Sequence, residues 1–364
     1  MSALRVAYLV EQCWHRVPGG TAVSVAEIAS ALVKRDDVEL KGIAAQHKNN
    51  PSVKLPKELH ITHSKLPRQL LYRSWQYFEK PKVENLIKNV DLVHSSGGAI
   101  PPTKLPFVST IFDLSWRHNP SWFPSRGRRF AEQWLDKSLK ADLVICPSET
   151  TRLDLIGAGF DSRKIRVIQL GVRQQKVENT SVETLRRTYG LREDFVLWVG
   201  TIEPRKNLPV LVEAVSKIPK LNLVIVGPSG WNTDIESVIR PIKERVRLIG
   251  KVDEKTKHEW LEAADVFCFP SLLEGFGLPV VEAMSHGTPV VTSATTSTAE
   301  VVGDSGLLID PENSDEIAEA ISRILENRDL AQTLSEKGKE RSEKFSWENT
   351  AQQTISAYKE VVNW

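Results

Sequence analysis

Apolar residues in this chain gather in short blocks, and stretches of helical spacing separate one block from the next. The first block, Leu4–Val10 (LRVAYLV), lacks polar alternation, as a strand does when a parallel sheet buries both its faces. Similar blocks follow at Glu39–Ala44, Asp91–His94, Phe107–Phe112, Leu143–Cys146 and Ile165–Leu170. Between them, Thr21–Lys34 spaces Val23, Val25, Ala26, Ala29, Ala31 and Leu32 as a packed helix would. Further helical stretches fall near 68–89, 127–140 and 148–157. After a polar connection at Gly171–Arg192, with room for a short helix, the alternation repeats. Strands are expected at Phe195–Val199, Leu221–Val226, Val246–Leu248, Val266–Phe269, Pro289–Thr292 and Gly306–Ile309. Helices are expected at about 208–218, 233–243, 255–264, 279–286, 314–327, 329–343 and 347–362. The pattern predicts an α/β chain with two Rossmann-like, doubly wound parallel sheets. At 364 residues it exceeds one core, so 1–172 and 173–346 are expected as separate domains.

Charge divides along the same line. Residues 1–172 carry 25 Lys and Arg against 16 Asp and Glu, a net of +9, and the remainder carries 23 against 30, a net of −7. A basic half suits an anionic membrane surface or an acidic acceptor. No recognisable nucleic-acid-binding motif is present, which sets nucleic acid aside as a partner. Cys13, Cys146 and Cys268 lie far apart, the last two in strand blocks, and read as buried thiols of a reduced protein. Leu4–Val10 is too short for a signal peptide, and no apolar run approaches the ~20 residues that span a bilayer. The expectation is a cytoplasmic protein, soluble or peripheral at the inner face of the membrane.

The densest chemistry lies in Ser271–Pro289, SLLEGFGLPVVEAMSHGTP. Glu274 stands in a glycine-flanked loop, Gly275-Phe276-Gly277-Leu278, and Pro279 suits the first turn of a helix, where Glu282 is also expected. Gly287 suits the left-handed C-terminal position and Pro289 prevents continuation. A glycine loop ahead of a helix start suits phosphate, because free N–H groups and the dipole point at whatever sits there. Carboxylates do not bind phosphate, so Glu274 and Glu282 are assigned to hydroxyls on either side of it, which describes a nucleotide-sugar. The plainer alternative is a common α/β loop with a dipole-favoured glutamate. Val196–Asn207 (VLWVGTIEPRKN) decides between them: a strand ends in Gly200-Thr201, and Arg205-Lys206 follow as a cationic pair suited to a diphosphate.

GTIEPRKN together with PSLLEGFGLPVVEAM resembles the retaining nucleotide-sugar glycosyltransferases of family four, which have the GT-B architecture. Gly19-Gly20, ADLVICP at Ala141–Pro147, KIRVIQLGV at Lys164–Val172 and FSWENTAQQTISAY at Phe345–Tyr358 agree with it. The resemblance is strongest over 196–310 and weakest over 45–90. It implies two sheets facing across a cleft, with donor on the second domain, acceptor on the first, and the helix near 347–364 crossing back to the first. It implies that Arg205 and Lys206 neutralise the leaving diphosphate, so that neither metal nor cofactor is needed, and no Asp-x-Asp pair occurs. It further implies that the Phe276–Leu278 backbone touches phosphate or sugar and that Glu274 positions the donor sugar without becoming a covalent nucleophile. Glu282 would hold the ribose, Gly200 and Thr201 would line the donor site, Val252 would border the base, and Gly19-Gly20 would approach the phosphate. Arg205→Ala and Lys206→Ala are expected to weaken nucleotide binding without unfolding the protein. The reaction implied moves a hexose from a nucleotide-diphosphate sugar, GDP-mannose-like or a UDP-sugar, to a glycan or lipid-linked acceptor.

One position departs from the family. Where a His-Asp pair commonly ends the strand Ser109–Asp113, this chain has Phe112 before Asp113. Either the sugar contact is made differently or His118, in LSWRHNP, takes over part of it, and a non-catalytic nucleotide-sugar-binding homologue stays open. A nucleotide-sugar epimerase of the same architecture would not carry both motifs. A dehydrogenase is disfavoured because no G-x-G-x-x-G follows a strand. Leu66–Lys82 and Trp116–Trp134 mix Arg with aromatic residues, which fits either a basic-aromatic rim at a membrane or core anchors of helices with a solvated outer face.

Overall fold

The computed structural model describes residues 3–15 and 19–362. It divides into two compact units: residues 1–120, 124–171 and 347–364 form the first, and residues 121–123 and 172–346 the second.

The first unit is built on seven parallel strands: β1 (Leu4–Leu9), β2 (Val38–Gln46), β3 (His60–Pro67), β4 (Leu92–Ser95), β5 (Phe107–Thr110), β6 (Leu143–Cys146) and β7 (Ile165–Val167). Their order is β3-β2-β1-β4-β5-β6-β7, so the chain winds one way from β1 and the other way from β4. Ligands in such sheets bind beyond the carboxyl ends of the strands at this switch point. Strands β4, β5 and β6 are buried throughout, as their unbroken apolar blocks require. β3 was absent from the sequence expectations for a physical reason. It is an edge strand with half of its residues exposed, and its HITHSKLP has no apolar block to signal it.

The helical stretch expected over 68–89 is two helices, Arg68–Tyr77 and Val83–Leu86, because Pro81 cannot donate within a continuous helix. The helix Trp347–Val362 belongs to this unit. Its fully buried Tyr358 sets Oη 2.6 Å from His94 Nδ1, Thr350 Oγ1 donates to the Gln169 carbonyl at 2.8 Å, and Glu360 pairs with Arg166 at 2.6 Å.

The second unit carries six parallel strands: β8 (Phe195–Val199), β9 (Asn222–Val226), β10 (Val246–Gly250), β11 (Val266–Phe269), β12 (Val290–Ser293) and β13 (Leu307–Ile309). Their order β10-β9-β8-β11-β12-β13 puts the switch point between β8 and β11. Phe195, Trp198, Trp260, Phe267 and Phe269 are fully buried around these two strands. Burial of such side chains contributes about 1.5–3 kcal/mol each, and it fixes where the two strands end. The 233–243 stretch shortens to the helix Ile235–Ile239 followed by 3-10 turns over Arg240–Arg245, with Pro241 at the change. The six-residue helix Ser297–Val302 is too short to show a period in the sequence.

All three cysteines are buried. Among the described residues no helix is long and apolar enough to cross a membrane.

Candidate active site

Both sequence motifs emerge at the second unit's switch point. β8 ends at Val199, and Gly200 and Thr201 lead into the turn Pro204–Lys206, which the left-handed Asn207 closes before the helix Leu208–Lys217. β11 ends at Phe269 and runs through the Glu274 loop into the helix Leu278–His286. The loops are tied together: Leu272 N–H donates to the Arg205 carbonyl at 2.8 Å, and Arg205 Nη1 donates to the Leu273 carbonyl at 2.9 Å.

Charge is concentrated here in a dry place. Lys206 and Glu274 are each 7% exposed, and Lys206 Nζ lies 2.6 Å from Glu274 Oε1. Arg205 Nη1 lies 3.0 Å from Glu274 Oε2, and its Nε lies 2.8 Å from Glu203 Oε1. Lys206 also sits 4.8 Å from the centre of the Phe269 ring, where a cation is attracted by the ring face. Burial alone would raise the Glu274 pKa, but the Arg205 and Lys206 charges outweigh it and hold the carboxyl at about 2. Burial, reinforced by the neighbouring Arg205 charge, lowers Lys206 against the opposing pull of Glu274 and Glu203. Glu203 was not singled out from the sequence, although it directly precedes Pro204-Arg205-Lys206 and so had a local signal.

Gly277 explains how the loop becomes a helix. Its φ is +99°, and a Cβ there would lie 2.7 Å from Thr298 Cγ2, so both the turn and the approach of the Ser297–Val302 helix require glycine. Ser297 Oγ donates to the Glu274 carbonyl at 2.7 Å and fixes the loop from the same side. The Phe276 ring is buried edge-on against Phe345 at 5.7 Å. Gly287 ends the helix in the left-handed conformation expected of it.

Glu282 is corrected. The helix begins at Leu278, so Glu282 lies beyond the first turn, where no acidic residue is found. It is held by Lys257, whose Nζ is 2.8 Å from Glu282 Oε1 and 2.8 Å from Glu254 Oε2. Burial works against the Lys257 charge, but Glu282 and Glu254 more than offset it and raise its pKa. Glu254, His258 and Glu282 have ligand atoms within 4.8 Å of one another, and this is the arrangement among the described residues closest to a metal site. The lysine already supplies a positive charge to both carboxylates. Val252 follows β10, the edge strand, at the carboxyl side of the same sheet.

The remaining candidates lie in the first unit. Gly19 and Gly20 are exposed and open the helix Gly19–Leu32. Phe112 follows β5, and a Cβ on Gly97 would come 3.2 Å from its ring. Asp113 accepts from Ser115 N–H at 3.0 Å and from its hydroxyl at 2.6 Å. His118 is exposed and sits 2.8 Å from Asp154 at the end of the short helix Ser115–His118. Of the basic-aromatic stretches, Trp75, Trp116 and Trp134 are core anchors, whereas Tyr77 and Phe78 stand 70% and 73% exposed.

Comparison with known proteins identifies the family and the fold. Residues 18–176 match the model of Glycosyltransferase Family 4, and residues 182–341 match Glycosyl transferases group 1. The chain is 34% identical over 265 residues to O-antigen chain mannosyltransferase B of Escherichia coli, covering 69% of this chain and 70% of that protein. Among solved structures, a sucrose-phosphate synthase from Thermosynechococcus elongatus superposes with a TM-score of 0.79 at 23% identity, covering 98% of both chains. Anabaena HepE, solved with UDP-glucose, superposes with a TM-score of 0.75 at 19% identity, covering 98% of this chain and 100% of that one. With the two parallel-sheet units of the GT-B fold in place, the chain belongs to the family-four, group 1 glycosyltransferases.

Proposed function

We propose that this glycosyltransferase is a retaining, metal-independent hexosyltransferase that uses a nucleotide-diphosphate sugar and a glycan or lipid-linked acceptor. The observation that carries the reading is the convergence of Arg205, Lys206 and Glu274 at a sheet switch point beside the start of the Leu278–His286 helix. Breaking the anomeric C–O bond leaves negative charge on the diphosphate. Arg205, Lys206 and the backbone N–H groups at the helix start offset it as preorganised electrostatic stabilisers. Glu274 holds donor-sugar hydroxyls, and Glu282, oriented by Lys257, holds the ribose. Gly200, Thr201 and the Phe276–Leu278 backbone line the diphosphate, and Val252 borders the base. The acceptor hydroxyl attacks from the leaving-group face and the diphosphate accepts its proton.

The Escherichia coli relative is a mannosyltransferase, which supports mannose as the sugar moved, and the UDP-glucose held by HepE supports a nucleotide-diphosphate donor. Exposed Leu70, Tyr77 and Phe78, with Arg73, Lys80 and Lys82 around them, support peripheral contact with an anionic membrane from the cytoplasmic side.

Titration with GDP and UDP tests the site. Glu282→Gln should weaken nucleoside diphosphate binding about tenfold or more, while Glu274→Gln should lower kcat more than that affinity. The opposite pattern would exchange the two roles. Transfer should survive a chelator; activity that disappears and returns with Mg²⁺ or Mn²⁺ would end the metal-independent reading.

A further inference from the structure

The first unit has a switch point of its own, between β1 and β4, and it gathers hydrogen-bonding atoms that nothing among the described residues satisfies. The turn Glu11–Trp14 follows β1 and leads to His15, and Gly97-Gly98 follow β4. The helix Arg68–Tyr77 follows β3 and presents Arg68 and Tyr72 four residues apart, on one face. His15 Nε2, Arg68 Nη1 and Tyr72 Oη are all buried without a hydrogen-bond partner among the described residues.

Two further facts place these groups together. The Arg68 charge acts on both His15 and Tyr72. A Cβ on Gly98 would lie 4.0 Å from Tyr72 Oη and 2.4 Å from Gln12 Nε2, so the β4 loop passes close over both. Gly98 has φ +95°, and Gln12 Nε2 donates to the Gly97 carbonyl at 3.0 Å, which holds the loop in place. The Tyr72 ring stacks on Phe130 at 5.5 Å and 10°.

Buried polar atoms are almost always paired in folded proteins, and a group of three without partners calls for a ligand or ordered water. The chemistry selects the ligand. Arg68 carries a permanent charge on a planar fork that matches carboxylate and phosphate oxygens. Burial keeps the Tyr72 pKa well above its ordinary value, so it is an O–H donor. Burial first, then the Arg68 and His47 charges, push His15 down to about 4, so it is a neutral imidazole whose free nitrogen can carry the proton. Glu11, whose negative charge acts on Tyr72 more strongly than the Arg68 charge does, is itself engaged by Ala45 N–H at 2.7 Å and by His47 at 3.0 Å.

We propose that Arg68, Tyr72 and His15 form a subsite for an oxyanion, a phosphate or a carboxylate, carried by the acceptor. The oxyanion follows from the three donors; its assignment to the acceptor rests on the glycosyltransferase reading, in which the first unit takes that substrate.

Equilibrium dialysis of the full chain with radiolabelled inorganic phosphate tests it, with GDP and UDP in excess to occupy the second unit. Saturable binding of one phosphate per chain is expected. It should weaken at least tenfold in Arg68→Gln and several-fold in Tyr72→Phe, with partial recovery in Arg68→Lys. Tyr72→Phe keeps the ring stack and so guards against a merely unfolded variant. Competition separates the sources: glucuronate displacing better than glucose 1-phosphate assigns a carboxylate, the reverse a phosphate, and neutral glucose should displace nothing. No saturable binding, or equal binding by Arg68→Gln and Tyr72→Phe, would overturn the subsite. If GDP and UDP themselves fail to bind, the donor reading fails, and phosphate binding sensitive to Arg68 still stands.

Discussion

Lys206 holds its charge inside the protein, and Glu274 and Arg205 share the same small volume. Removing one member of a buried ion pair leaves the other uncompensated, at about 3–5 kcal/mol. Lys206→Ala, expected from sequence to spare the fold, is therefore predicted to lower stability, but by less than that amount because Arg205 still pairs with Glu274. Adding Glu274→Gln should recover part of the loss, which denaturant unfolding of the single and double variants would measure. Additive losses would show that the pair is not coupled. Glu274 also sets an acid response. Its folded pKa of about 2 lies below the ordinary value of 4.5, so its stabilisation is complete above about pH 4.5 and is lost as the pH falls toward 2. In that window stability should fall less steeply with pH in Glu274→Gln than in the parent; identical slopes would contradict the assignment. Sequence made Arg205, Lys206 and Glu274 visible through local motifs, but not the 68-residue separation that Lys206 and Glu274 bridge. Lys257 escaped notice for the same reason: it meets Glu282 from another helix, 25 residues away.

At the level of elements, the helix Leu278–His286 was legible because Pro279 and Gly287 mark its ends in the sequence. β3 was not, since an exposed edge strand has few apolar positions to show. Gly277 joins loop to helix, and its positive φ and 2.7 Å approach to Thr298 leave no room for a side chain. Gly277→Ala is predicted to cost about 1–3 kcal/mol and to weaken nucleoside diphosphate binding, because the helix start would have to move. Thermal melts and calorimetry on the same preparation check this, and a variant unchanged in both would show that the turn adapts.

For the whole molecule, two parallel sheets with their own switch points were readable from strand–helix alternation, while the solvent side of the first unit was not. Trp116 and Trp134 turned out to be core residues, yet Tyr77 and Phe78, from an equally aromatic stretch, face outward. Periodicity could not separate these cases, because burial depends on which helix covers which. The helix Trp347–Val362 also bears on synthesis. A ribosome that has delivered 346 residues has supplied every strand of both sheets and every residue of the second unit, but not the Tyr358 partner of His94. The second unit is thus free to finish folding first, although the first is translated earlier. Chains stalled after residue 346 and clear of the exit tunnel should resist protease over 172–346 and be cut within 1–171. Chains extended through residue 362 and equally clear should resist in both, and a stalled chain protected throughout would show that the first unit does not wait for its last helix.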